Sequence, residues 1–123
     1  MNFDDAIASH TSWKHRLSQY LAKRDNSMNV AEIGAEDRCV LGQWIRDQPK
    51  PHSETPELVR LKKAHLRFHQ AAADLVRRAN AGESVSQEMV FGAGSEFSKA
   101  SSAIIQAIVA MKKKAAQAAA ASG

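Results

Sequence analysis

The chain has 123 residues, room for one domain with its own core, and its six glycines, three prolines and 6% aromatics describe a helical composition. A single cysteine excludes an intramolecular disulfide framework, and no apolar run approaches the ~20 residues that a membrane span needs. The net charge of +4 comes from cations spread over several segments, with only Lys112, Lys113 and Lys114 in a row, so a nucleic-acid surface is not expected. The start, MNFDDAIASH, is acidic and lacks a basic n-region and a continuous apolar stretch. A cytoplasmic protein, neither secreted nor membrane-embedded, is the expectation.

Phe3, Ile7, His10, Trp13/Lys14, Leu17 and Leu21 recur at helical spacing, with Asp4 and Asp5 where the first turn would be. They predict a long amphipathic helix over about residues 3–24. His10 interrupts its apolar stripe, and a polar ring there needs a partner. From Asp25 to Pro56 the periodicity fails, and Gly34, Gly42, Pro49 and Pro51 punctuate a long connection. Long connections in small domains usually carry function. Within it CVLGQWI is the one apolar cluster, and it predicts a short helical turn that anchors the loop through Leu41, Trp44 and Ile45 and holds Cys39 against the bundle.

Thr-Pro-Glu at residues 55–57 supplies a cap, a first-turn proline and early negative charge for a second long helix, which should run to about Asn80 with Gly82 as its stop. Its stripe reads Leu58, Leu61, His65, Phe68/His69, Ala72, Leu75/Val76 and Ala79, leaving Arg60, Lys63, Arg67, Asp74 and Arg78 wet. A last helix is expected after Ser84 or Ser86, carrying Met89, Val90, Phe97, Ala100, Ile104, Ile105, Ile108 and Met111, weakened or kinked near Gly92 and Gly94. The lysine run should sit at its end, complementing the helix dipole. Residues 115–123 form an alanine-rich tail with nothing to pack, a frayed helix or a disordered segment, outside a bundle of residues 1–114. Three long helices and one short anchored segment predict an all-α helical bundle.

The chemistry-bearing residues are His10, Cys39, His65 and His69. The i, i+4 spacing of His65 and His69 in HLRFH sets both imidazoles on one helix face. Three histidines and one cysteine complete a closed tetrahedral zinc site, and a thiolate ligand favours zinc over magnesium, calcium or a carboxylate-bridged di-iron centre. Each residue also has an ordinary reading: a lone core histidine can be satisfied by the backbone, and a lone cysteine is commonly a small buried hydrophobe. His15, towards the polar side of its helix, and His52, in a proline-rich loop, are left outside the site. Trp13 and Trp44 are read as packing that closes the core. A closed site with no general base does not fit an enzyme; a metal-free interaction module would make the histidines ordinary core residues.

His10-Thr-Ser-Trp13-Lys14, Cys39-Val-Leu-Gly42-Gln-Trp44 and His65-Leu-Arg-Phe68-His69 together resemble the three signature blocks of the chemoreceptor zinc-binding domain family. The resemblance runs from about Phe3 into the last helix, without departure at the four ligand positions. It implies an all-α four-helix bundle that often forms homodimers, with the three histidines and the cysteine binding zinc. It further implies a bacterial signalling module attached to chemoreceptors or diguanylate cyclases, or a free-standing small protein of such a pathway. This chain, which begins with Met and has no room for a methyl-accepting hairpin or a cyclase, is expected to be a stand-alone member or an excised domain. Two signals follow from the resemblance: zinc occupancy itself, or oxidation of Cys39 by an oxidant such as hypochlorous acid. A purely structural zinc is the third reading.

Overall fold

A computed structural model describes residues 1–23, 28–35 and 39–122, the side chains of residues 119–122 excepted. Described residues form helices and connections only: α1 (Phe3–Lys23), α2 (Val30–Gly34), α3 (Val40–Arg46), a 3₁₀ turn (His52–Glu54), α4 (Pro56–Asn80), α5 (Glu88–Phe91) and α6 (Glu96–Ser122). The fold is an all-α helical bundle. Its rods are α1, α4 and α6, with α4 and α6 making the most extensive contact and α2, α3 and α5 closing the gaps between them.

The long helices form where apolar residues recur at 3.6-residue spacing. In α4 the buried residues are Leu58, Leu61, His65, Phe68, His69, Ala72, Leu75, Val76 and Ala79, the expected stripe in full. Pro56 opens α4, and Gly82 ends it with φ +80, a left-handed conformation that costs glycine little. Thr55 holds the N-cap position, but its hydroxyl donates to the His52 carbonyl and does not cap α4. In α1 the buried row is Ala6, His10, Leu17, Tyr20 and Leu21, while Phe3, Ile7 and Trp13 pack at its border. Arg24, the expected last residue of this helix, lies outside the described residues.

Two features differ from the sequence expectation. The connection contains a second short helix, α2, whose N-cap Asn29 accepts a hydrogen bond from the Glu32 amide at 3.2 Å and whose Ile33 is buried. The last helix is two pieces. At the break, a Cβ on Gly92 would lie 2.5 Å from the Glu88 carbonyl oxygen, and α6 restarts where the Ser95 hydroxyl accepts from the Ser98 amide at 3.1 Å. The alanine-rich segment is helical as far as Ser122, because alanine is the strongest helix former and needs no packing partner to continue a formed helix.

The lysine run consequently lies inside α6 rather than at its end. Lys112 meets Asp4 of α1 at 2.7 Å and Lys114 meets Glu57 of α4 at 3.6 Å, so the run links α6 to the starts of both other rods. These are exposed or half-exposed pairs and each contributes well under about 1 kcal/mol. The core carries the stability. Phe68 and Phe97, both essentially inaccessible, stack at 5.5 Å between α4 and α6, joined by Ile104, Ile108 and Met111. None of the described helices is long and apolar enough to cross a membrane.

Candidate metal centre

His10 comes from the middle of α1, His65 and His69 from the middle of α4, and Cys39 from the N-cap position of α3. The fold brings all four together: one donor atom from each lies within 4.8 Å of every other. The three histidines are buried, with only 1–5% of their surface exposed, whereas Cys39 is half-buried. His15 is exposed on α1 and His52 pairs with Gln48, so neither belongs to the cluster.

Hydrogen bonds fix which ring atom faces inward. His10 Nδ1 lies 2.7 Å from the Ala6 carbonyl oxygen, one turn back on its own helix. His69 Nδ1 lies 2.8 Å from the Ile33 carbonyl oxygen of α2. A carbonyl only accepts, so both Nδ1 atoms carry hydrogen, and each neutral ring turns an Nε2 lone pair toward the cluster. Such outward hydrogen bonds are the usual means of fixing the tautomer of a metal-ligating histidine.

The inner distances fit a small tetrahedral ion. Cys39 Sγ is 3.5 Å from His65 Nε2 and 3.8 Å from His10 Nε2, and the Nε2 atoms of His65 and His69 are 3.0 Å apart. Zinc bonds of ~2.0–2.1 Å to nitrogen and ~2.3 Å to sulfur would set ligand atoms ~3.3 Å apart for two nitrogens and ~3.6 Å for nitrogen and sulfur. These three spacings lie within a few tenths of an ångström of those values, and the other donor pairs lie within 4.8 Å, so the set would draw together around an ion. No carboxylate joins the cluster among the described residues, so the donor set is soft and borderline, the type that suits zinc and not magnesium or calcium.

Burial favours the neutral form of two of the histidines. Burial, followed by the neighbouring His69 and His10, pushes the His65 pKa down to about 3. Burial also lowers that of His10, with the Ala6 carbonyl opposing and His69 adding to the effect. Lone pairs available at neutral pH are what a metal cation requires.

Trp13 and Trp44 pack against the core as expected. Trp44 pins α3 to the start of α1 by an edge contact with Phe3 at 5.3 Å, and Trp13 lies under the Arg16 guanidinium at 4.1 Å. The ring set directly against the ligands is Phe68, edge-on to His10 at 5.2 Å and to His69 at 5.6 Å. Its place between the histidines of HLRFH is the signal that could have assigned it. The Ile33 carbonyl had no comparable signal, because a backbone acceptor 36 residues from its donor leaves no residue-type mark.

A helical bundle that gathers three imidazoles and a thiol from three of its helices defines a metal-binding domain in form. The chain belongs to the chemoreceptor zinc-binding domain family, whose profile matches residues 10–76. The matched stretch opens on His10 and contains Cys39, His65 and His69, with α5 and α6 beyond its end. Neither the curated proteins nor the solved structures contain a match to it.

Proposed function

We propose that this protein is a non-catalytic sensory module that binds one zinc ion through His10, Cys39, His65 and His69, and that ion occupancy or the oxidation state of Cys39 alters the packing of α3 against α1 and α4. The observation that carries this reading is the convergence of four N/S donors within 4.8 Å of one another inside a member of a zinc-binding family. Zinc, when bound, would supply a cross-link of α1, α3 and α4 with a free energy on the order of 10 kcal/mol or more. Four protein donors leave no open coordination position, which favours regulation over hydrolysis.

The residues differ in how they would respond. His10, His65 and His69 sit on long helices under a packed core, while Cys39 is half-buried at the start of a seven-residue helix. Hypochlorous acid would transfer chlorine to the Cys39 thiolate, releasing hydroxide. Hydrolysis of that S–Cl bond then gives the sulfenic acid, chloride and a proton, a two-electron oxidation of the sulfur. A sulfenic acid is a poorer ligand than a thiolate, so α3 would be released first.

A cytoplasmic homodimer acting on a chemoreceptor or diguanylate cyclase pathway is the setting we infer from the family. Elemental mass spectrometry before and after hypochlorous acid tests the core of the proposal. About one zinc per chain, lost on oxidation, is expected; zinc retained after oxidation would point to a zinc-level sensor or a structural adaptor, and no metal at all would overturn the reading.

A further inference from the structure

A concavity lined in part by His65 opens beside the metal centre. It is a cavity of about 430 Å³ between α3, the turn that follows it and α4. That volume is within the range of small-molecule sites. Three cations from three separate stretches line it: Arg46 at the end of α3, Lys50 in the turn and Lys62 on α4. No acidic side chain is among its described lining residues.

Its inner wall is apolar. Ile45 is buried there, and Leu66, 40% exposed, is one of the few large hydrophobic side chains that the surface leaves open. The cations are free to turn inward. Arg46 and Lys50 meet Asp47 and Glu54 only through surface contacts at 3.7 and 3.5 Å, all four side chains being more than 60% exposed. Lys62 has no ion-pair partner among the described residues. Exposed pairs of this kind are too weak to hold a cation against a better anion.

We propose that this cavity binds a small organic acid, a carboxylate head met by Arg46, Lys50 and Lys62 and an apolar body lying on Ile45 and Leu66. A charged rim over an apolar floor selects for both parts at once: a neutral molecule of the same shape forfeits the rim, and an inorganic anion forfeits the floor. His65 is part of the same wall, so the bound acid would lie beside a residue of the metal centre. Binding itself stands independently of whether that centre holds zinc.

The test uses the whole chain, isotope-labelled, with hexanoate as the probe and hexan-1-ol as its neutral match. Hexanoate is expected to move the backbone amide signals of Ile45, Lys62 and Leu66 saturably, and hexan-1-ol to bind at least tenfold more weakly. Lys62→Glu should weaken hexanoate at least tenfold. Lys99→Glu, a charge reversal on α6 outside the cavity, should leave it unchanged. Lys62 is exposed, so the variant should fold, and its far-UV circular dichroism checks this. Arg46→Glu repeats the test at a second position. Equal binding of acid and alcohol, shifts centred elsewhere, or hexanoate affinity indifferent to both reversals would overturn the proposal.

Discussion

Replacing His65 by leucine should move stability in opposite directions with and without metal. The imidazole is 1% exposed and its pKa is driven down to about 3, chiefly by burial, so the folded metal-free protein holds it neutral. In the unfolded chain it titrates near 6.5. Between these values the unfolded state binds the proton that the folded state refuses, so the folded state is fully favoured above pH 6.5 and loses stability as pH falls toward 3. At pH 5, one and a half units below 6.5, the loss is about 2 kcal/mol at ~1.4 kcal/mol per unit. His65→Leu removes this titration, and leucine fills a comparable volume without a polar atom to desolvate. The metal-free variant should therefore match or exceed the wild type at pH 7.5, with about 2 kcal/mol less fall on going to pH 5. Zinc binding should weaken by on the order of 3 kcal/mol, roughly a quarter of a structural zinc site, or about two decades in Kd. Urea denaturation in chelator at the two pH values, with zinc competition against a chromophoric chelator, measures both. A metal-free variant that is less stable at pH 7.5 and keeps the wild-type pH slope would refute the account of a strained neutral imidazole. Unchanged zinc affinity would remove His65 from the ligand set.

Cys39→Ala should retain weak zinc binding through the three histidines but show no change in metal content or near-UV circular dichroism on hypochlorous acid treatment, and a persisting response would exclude the thiolate as the switch. Phe68→Ala empties a fully buried ring site against Phe97, His10 and His69, and should cost about 3–5 kcal/mol by denaturant titration of the metal-free protein; a loss under 1 kcal/mol would mean that the ring is not central to the core. His52→Ala loses a hydrogen bond to Gln48 at 2.9 Å and an edge contact with Trp44, so elemental analysis should find its zinc content unaltered.

The long helices were legible because their signals are local. In α4 every buried residue is spaced by three or four from another, the proline stands at the first turn, and the left-handed glycine follows the last helical residue. The same regularity made His65 and His69 conspicuous, since two imidazoles in an otherwise apolar row have to be satisfied by something. What the sequence hid falls into two kinds. The short helix α2 has a readable N-terminus, Asn29 three residues before Glu32, but five residues are too few for periodicity to show. The break before α6 was visible as glycines, yet whether glycine bends or ends a helix depends on what stands beside it, here the Glu88 carbonyl and the Ser95 cap. The alanine-rich stretch left two readings open, a frayed helix or disorder, and it is helical because a helix already nucleated over the core continues through alanine at little cost.

The least legible feature is also the one that orders the metal centre's parts. His69 is held from behind by the Ile33 carbonyl, which ties α2 to α4, and His10 by its own helix at Ala6. Those two donors have orientations set by the backbone before any ion arrives. For Cys39 no such restraint is found among the described residues: no hydrogen bond from its side chain caps α3, and its sulfur meets His65 and His10 at 3.5 and 3.8 Å. A preorganised set of imidazoles facing one thiol on a short helix divides the labour between affinity and response. On the proposed reading the histidines would hold the site's shape, and the sulfur would add a metal link to an α3 already seated by Leu41, Ile45 and Trp44. On that reading a change at the sulfur would be passed to α3 and, through Trp44 against Phe3, to the start of α1.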